Sequence, residues 1–209
     1  MFWAAGNQPF PEKTAIWDSQ RKVSYAELSA EADQIGRGVL AQALELGGET
    51  QRVAFWMRPS SRYVATQWGV WRAGQVAVPL CVEHPLPEVA HVLMESRASI
   101  LVHEGMPAEL LEGIRQERPA VRLLAFDQLL AGARDPARGD APRLPLVDEA
   151  WASRPAQILF TSGTTGKPKG AVATHGNIEA GVRTLIHAWA WTPRDHTLGV
   201  LPLHHTHGV

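Results

Sequence analysis

The chain has 209 residues, of which 45% are hydrophobic and 20% charged, a composition that excludes a disordered tail or a collagen-like rod. The 20 Lys and Arg against 21 Asp and Glu leave a net charge of −1, so charge gives no case for nucleic acid or an anionic membrane as a partner. The single cysteine, Cys81, excludes an internal disulfide, and without a signal-peptide pattern or an apolar run of about 18 residues we expect a cytoplasmic protein with no membrane span.

The first predicted helix begins at a capping box. In Ser24-Tyr-Ala-Glu27 the hydroxyl can accept a hydrogen bond from a first-turn N–H, and the carboxylate three residues later can reach back to the chain before it. Apolar residues then recur every three or four positions, and Gly47 and Gly48 supply a left-handed end.

Beyond this helix, short apolar runs alternate with amphipathic segments. The apolar runs predict strands at 52–57, 76–80, 99–102 and 121–126, and the amphipathic segments predict helices at 62–73, 85–97 and 107–116. This rhythm is typical of an α/β fold in which a mostly parallel sheet is joined by crossover helices.

A segment rich in Gly, Pro, Arg and Asp interrupts the alternation at 132–150, which we interpret as a junction between two units. The second unit, 151–209, is predicted to contain a buried strand at 157–160, a loop, a strand at 171–174, a helix at 177–191 and a last strand at 198–201.

The loop at 161–170 carries the strongest chemical signal. It places three Gly, three Thr, one Ser and two Lys directly after a buried strand. Glycines let successive N–H groups point into one concavity, hydroxyls add neutral donors, and the lysines add positive charge. The pattern therefore predicts a polyphosphate site formed by Thr161, Ser162, Gly163, Thr164, Thr165, Gly166, Lys167, Lys169 and Gly170.

This loop is not a Walker motif, because Thr161 stands where the first Gly belongs and Pro168 where the magnesium-binding Ser or Thr belongs. The alternative is a surface hairpin with Gly for its turns and Lys for solubility. So many anion donors after a buried strand favour phosphate binding.

The loop resembles the phosphate-loop signature of the adenylate-forming superfamily, which includes acyl-CoA synthetases, luciferases and peptide-synthetase adenylation domains. Three other stretches agree with that family's motifs in order: Val23-Ser-Tyr-Ala-Glu-Leu28, Trp71-Arg-Ala-Gly-Gln-Val-Ala-Val-Pro-Leu80 and Leu201-Pro-Leu-His-His-Thr-His-Gly208. The resemblance covers essentially the whole chain and implies that 1–209 is a partial N-terminal AMP-binding domain of this α/β fold, incomplete at its C-terminus.

The resemblance also implies a two-step reaction. A carboxylate attacks the α-phosphorus of ATP to form an acyl-adenylate, and coenzyme A then displaces AMP. The implied cofactors are ATP and Mg²⁺, with coenzyme A and a small carboxylic acid as the other partners. Lys167 and Lys169 would neutralise phosphate charge, while His205 and His207 would line the pocket where acid and adenylate meet.

The stretch at 187–191 and the histidine motif look most like malonyl-CoA synthetases, so malonate or a related short dicarboxylate is the expected acid. A medium- or long-chain fatty acyl-CoA synthetase is an alternative. His204, His205 and His207 could instead form a zinc cluster, but no Cys, Asp or Glu in the last dozen residues completes one, and we predict no metal ligands. His175 is interpreted as a brace for the loop rather than a catalytic residue.

Several family parts are not found before Val209: the acidic residues that hold Mg²⁺ and ribose, the hinge, and the C-terminal lid with its catalytic lysine. No catalytic residue is therefore assigned. We expect a truncated chain without adenylation activity of its own. The alternative is a non-catalytic nucleotide- or polyphosphate-binding module, or a subunit completed by another chain.

Overall fold

The computed structural model describes residues 10–132, 143–145, 148–161 and 167–205. The chain opens with an antiparallel pair, β1 (Thr14–Trp17) and β2 (Lys22–Ser24). The first helix, α1 (Tyr25–Glu45), starts at the predicted capping box: Ser24 Oγ accepts from the Glu27 N–H at 3.2 Å, and the Glu27 carboxylate accepts from the Ser24 N–H at 2.7 Å.

A six-stranded sheet forms the centre of the molecule. Its strands are β3 (Arg52–Trp56), β4 (Val76–Pro79), β5 (Ile100–His103), β6 (Arg122–Ala125), β7 (Pro155–Thr161) and β8 (Lys169–Thr174). The order across the sheet is β6-β5-β3-β4-β7-β8; β3 to β7 run parallel, and β8 returns antiparallel to β7.

Helices alternate with these strands, and the last helix follows β8. They are α2 (Ser61–Arg72), α3 (Leu86–Ser96), α4 (Ala108–Glu117), α5 (Phe126–Gly132) and α6 (His175–Ala188), with a 3₁₀ turn at Glu149–Ser153 before β7. The N-terminus of α2 is capped by Ser60, whose side chain accepts from the Tyr63 N–H at 3.2 Å. The predicted α/β class with a mostly parallel sheet and crossover helices is confirmed.

The sheet is covered on both faces, as the alternation of side chains along β3 shows. Val53 and Phe55 join the core formed with α1, α2 and α5, while Ala54 and Trp56 join the core formed with α3 and α4. A strand buried on both faces must be apolar throughout, which is why β3 reads as one continuous hydrophobic run.

Helices α1 and α2 cross at very short range. A Cβ added to Gly69 would lie 2.8 Å from the Ala32 carbonyl oxygen and 2.8 Å from Ile35 Cγ2. At the end of α2, the buried Arg72 guanidinium donates to Asp33 at 2.8 Å and to the Ser29 carbonyl at 2.7 Å. The absence of a side chain at Gly69 thus lets the two helices meet, and Arg72 joins them by charge.

One prediction about an element was wrong: the apolar run at 198–201 is not a strand but irregular chain, with Leu198 85% exposed. Leu144, a described residue of the junction at 132–150, is partly buried and packs against the core of α1 and α2. Most of that junction lies outside the described residues. Among the helices in the described ranges, none is long and apolar enough to cross a bilayer.

Candidate active site

The carboxyl ends of the parallel strands form the edge at which the candidate residues gather. The chain runs from β3 outward to β4 on one side and then back past β3 to β5 on the other, so the direction reverses between β3 and β5. In open α/β sheets ligands bind outside the carboxyl ends at such a reversal. The predicted phosphate loop leaves this same edge, at the end of β7.

The phosphate loop is the connection of a β-hairpin. In the ladder between β7 and β8, Thr161 lies opposite Lys169 and Phe160 lies opposite Gly170. Thr161, Lys167 and Lys169 are all exposed, so their polar groups are open to a ligand. The structure therefore places Thr161 and Lys169 together at the base of the loop. Ser162, Gly163, Thr164, Thr165 and Gly166 lie outside the described residues.

Gly170 has a packing reason for its identity. A Cβ there would lie 2.8 Å from Ile158 Cγ2 and 3.1 Å from Phe160 Cζ. Both side chains belong to the core on the α3 face of the sheet. Gly170 thus lets β8 lie close to β7, and a direct part in phosphate binding stays a prediction.

Two side chains of α2 hold β7 in place. Trp71, which is buried, donates from Nε1 to the Ala156 carbonyl at 2.8 Å, and Gln67 donates from Nε2 to Gln157 Oε1 at 3.2 Å. The strand that carries the loop is thereby attached to a helix packed in the core.

The segment with the predicted pocket histidines returns to the same edge of the sheet. Tyr63, in the first turn of α2, donates from its hydroxyl to the Leu203 carbonyl at 2.8 Å. The backbone N–H of His205 donates to the Pro202 carbonyl at 3.1 Å, which makes 202–205 a turn. His205 is exposed at this turn, and His207 lies outside the described residues.

A third histidine lies beside this turn. The ring of His84, in the chain after β4, is edge-on to the ring of His204 at 6.4 Å between centroids, and the His204 and His205 rings are 4.2 Å apart. Burial lowers the pKa of His204, and the neighbouring His205 and His84 lower it further. A neutral imidazole is therefore favoured at His204.

Comparison with known proteins identifies the family. The AMP-binding enzyme family matches residues 2–209. This chain belongs to that family.

Curated relatives in the AMP-binding family include malonate–CoA ligases. The chain is 35% identical over 203 residues to the mitochondrial malonate–CoA ligase ACSF3 of Homo sapiens, covering 96% of this chain and 34% of that protein. It is 33% identical to the malonate–CoA ligase of Arabidopsis thaliana, covering 95% of this chain and 35% of that protein. The chain thus spans about a third of these relatives' length.

Solved structures of acyl-CoA ligases share the fold of this chain. ATP-bound MatB from Rhodopseudomonas palustris superposes with a TM-score of 0.77 at 29% identity, covering 97% of this chain and 40% of that chain. The N-terminal domain of FACL13 from Mycobacterium tuberculosis superposes with a TM-score of 0.66 at 27% identity, covering 90% of this chain and 46% of that chain. The expected resemblance to the adenylate-forming fold is confirmed.

His175 in this family member is built into the structure beneath the hairpin. It is buried, its ring stacks on Trp151 with 4.6 Å between ring centroids, and its backbone N–H donates to the Arg154 carbonyl at 3.1 Å. Burial, with a smaller contribution from Arg154, lowers the pKa of His175 to about 4. These contacts support its interpretation as a brace.

Three residues near the site were not assigned a role from sequence. They are Tyr63, His84 and His91, the last of which contacts Pro168. Each contacts residues far away along the chain, so no local pattern could reveal them. As for metals, no group of three His, Cys, Asp or Glu within the described ranges is placed to hold an ion.

Proposed function

We propose that this chain forms the nucleotide-binding part of an ATP-dependent carboxylic acid–CoA ligase that acts on malonate or a related short dicarboxylate. The observation that carries the proposal is the match to malonate–CoA ligases over almost the whole chain, at 35% identity to the human protein. The exposed Thr161, Lys167 and Lys169 at the hairpin support it, since they suit a polyphosphate.

The proposed reaction has two steps. A carboxylate oxygen bonds to the α-phosphorus of ATP as the bond to the bridging oxygen of pyrophosphate breaks. The sulfur of coenzyme A then bonds to the acyl carbon as the carbon–oxygen bond to AMP breaks, and the thiol proton passes to solvent. Both steps shift negative charge onto phosphate oxygens, so fixed positive charge and oriented donors are the main requirement.

The hairpin residues would meet that requirement. Lys167 and Lys169 would neutralise the β- and γ-phosphates, and the Thr161 hydroxyl would donate to a phosphate oxygen. Ser162, Thr164, Thr165 and the backbone N–H groups of the loop glycines would add donors without charge. Because Lys169 lies in the ladder opposite Thr161, its backbone is set before the nucleotide binds.

The histidine turn would hold the acid. His205 and His207 would donate to a carboxylate of the dicarboxylate, and a neutral His204 beside them would add a donor without raising the local positive charge. The two carboxylates of malonate would then have separate partners, one at this turn and one at the α-phosphorus.

Mg²⁺ and coenzyme A belong to the proposal by family alone. In proteins Mg²⁺ is held by one or two carboxylates together with substrate phosphates and waters. Within the described ranges no group of three His, Cys, Asp or Glu is placed to hold an ion, and we assign no Mg²⁺ ligand among these residues.

A second candidate is a nucleotide-binding module without chemistry, or a subunit completed by another chain. The exposed Thr161, Lys167 and Lys169 at the hairpin suit this candidate as well, because binding a polyphosphate requires no further chemistry. It shares the phosphate loop with the first proposal and differs from it in forming no acyl-adenylate.

The first experiment measures ATP binding by calorimetry with the 209-residue chain. Lys167→Ala should weaken binding about 10- to 100-fold, since a hydrogen bond to a charged group contributes roughly 1.5–3 kcal/mol and about 1.4 kcal/mol is a factor of ten. Lys22→Ala is the control, because Lys22 lies in β2, outside the six-stranded sheet. Equal weakening by both substitutions, or by neither, would contradict the phosphate role.

The second experiment assigns the chemistry. This chain is fused to the two-thirds of the human relative that it does not match, and AMP formation is measured with malonate, acetate or octanoate. Malonate should be the preferred acid. Preference for octanoate would favour the fatty acyl alternative, and ATP binding without AMP formation would favour the module.

A further inference from the structure

The phosphate hairpin is contacted from outside by helix α3. His91 Nε2 lies 3.0 Å from the Pro168 carbonyl oxygen, and its ring is edge-on to Phe160 of β7 at 6.4 Å between centroids. The same helix is fixed beneath the sheet by Val89, Val92 and Leu93, all of which are buried. His91 therefore joins the loop to a rigid part of the core.

The contact affects Lys169 because the accepting oxygen belongs to the peptide unit between Pro168 and Lys169. A peptide unit is planar, so the Pro168 carbonyl, the Lys169 N–H and the Lys169 Cα move together. A hydrogen bond to that carbonyl sets the plane from which the Lys169 side chain departs. Pro168 has no N–H, so it cannot itself add a donor bond to the ladder that begins at Lys169.

The chemistry of the contact fixes which atom carries the proton. A carbonyl oxygen only accepts, so His91 must donate from Nε2. In its neutral form the ring is then the tautomer with the proton on Nε2. This gives the contact a spectroscopic signature that packing alone would not produce.

We propose that His91 is a positioning residue for the phosphate loop, orienting the Lys167–Lys169 segment toward the nucleotide through its hydrogen bond to Pro168. The proposal rests on the function proposed above, because it takes the loop to bind phosphate. His91 contacts the loop backbone and not the ligand, so it should affect binding by ordering the lysines.

The test compares two substitutions by calorimetry with ATP and with inorganic tripolyphosphate. His91→Leu keeps an apolar side chain but removes the donor, and His91→Gln places an amide N–H near the position of Nε2. His91→Leu should weaken binding about three- to tenfold, the range expected for one hydrogen bond, and His91→Gln should stay within about twofold of the unchanged chain. His196→Leu, at an exposed position in the segment after α6, is the matched control.

Two results would overturn the proposal: unchanged binding in His91→Leu, or equal weakening in both His91 variants, which would indicate a packing role. If His91→Leu does not fold, nitrogen NMR of the unchanged chain decides, since a neutral His91 protonated at Nδ1 excludes the bond.

The experiments distinguish failure of the proposed function from failure of the positioning role of His91. If the unchanged chain binds neither ATP nor tripolyphosphate, phosphate binding itself is disproved. Hydrogen exchange at the Lys169 amide still tests the contact: faster exchange in His91→Leu than in His91→Gln would support it, and equal rates would refute it.

Discussion

At the scale of single residues, Tyr63 joins segments that are 140 positions apart in sequence. Its ring packs edge-on against Phe55 at 5.0 Å, and its hydroxyl donates to Leu203. Burial raises the pKa of Tyr63, so the hydroxyl keeps its proton at any ordinary pH. The ring packs in the core, whereas the hydroxyl is hydrogen-bonded to the turn that carries His204 and His205.

Tyr63→Phe should separate these two roles. The ring contact remains and one hydrogen bond is lost, so the free energy of unfolding should fall by about 1 kcal/mol. The turn that carries His204 and His205 should become more accessible to protease. Urea unfolding and limited proteolysis measure the two effects. A variant with unchanged stability and unchanged cleavage would show that the bond does not hold the turn.

His175 should make stability depend on pH. Its pKa is about 4 in the folded chain and near 6.5 when unfolded, so between these values the unfolded chain binds more protons. The contribution is fully present above pH 6.5 and is lost as pH falls toward 4. Urea unfolding at pH 7.5 and 5.0 should show a larger loss for the unchanged chain than for His175→Gln. Equal losses would contradict a buried, neutral His175.

At the scale of elements, the close crossing of α1 and α2 predicts a contrast between two glycines. Gly69→Ala must push aside the Ala32 backbone, so it should destabilise the chain by about 1–3 kcal/mol. Gly181→Ala, in α6, meets nothing within 4 Å and should stabilise it by up to about 1 kcal/mol through helix propensity. Thermal unfolding of both variants measures the contrast; a harmless Gly69→Ala would contradict the crossing.

The elements themselves were largely predictable, because their signals are local. The capping box at Ser24 and the left-handed Gly47 and Gly48, at φ of 103° and 74°, are confirmed. The pair β1 and β2 was not predicted, since its short strands are only half-buried and carry little alternation. The run at 198–201 has the composition of a strand, but nothing in the described chain covers it.

The site was predictable only in part, for the same reason. The composition of 161–170 is sufficient to predict the loop, and its base lies between β7 and β8 as expected. The contacts from Tyr63, His84 and His91 depend on the order of strands in the sheet. Sequence periodicity does not encode that order. It does not reveal, for example, that α3 crosses β3 and places β5 on the opposite side of β3 from β4.

At the scale of the whole molecule, apolar exposure is unevenly distributed. Large exposed apolar side chains concentrate in the last part of the described chain: Leu185, Ile186, Trp189, Trp191, Leu198, Val200 and Leu201. Exposed apolar groups at this density favour association. Trp189 and Trp191 contact each other at 5.0 Å, so part of this surface is continuous.

We therefore expect the chain to bind an apolar dye and to self-associate as its concentration rises. Trp189→Gln combined with Leu198→Gln should reduce both, while each exposed substitution changes stability by no more than about 0.5 kcal/mol. Dye fluorescence and sedimentation velocity provide the measurements, with Trp17→Gln, at a 74% exposed position in β1, as the control. An equal effect of Trp17→Gln would show that dye binding and self-association do not depend on the exposed apolar residues between 185 and 201.

Helix α2 serves four parts of the molecule at once. Ser61 donates from its N–H to Asp18 at 2.7 Å, Tyr63 reaches the histidine turn, Gln67 reaches β7, and Arg72 reaches α1. For protein engineering this makes α2 a poor choice for tags, labels or surface redesign, because a change intended for one neighbour disturbs the others. Helix α4, whose one buried residue is Ile114, offers a far more tolerant place for such handles.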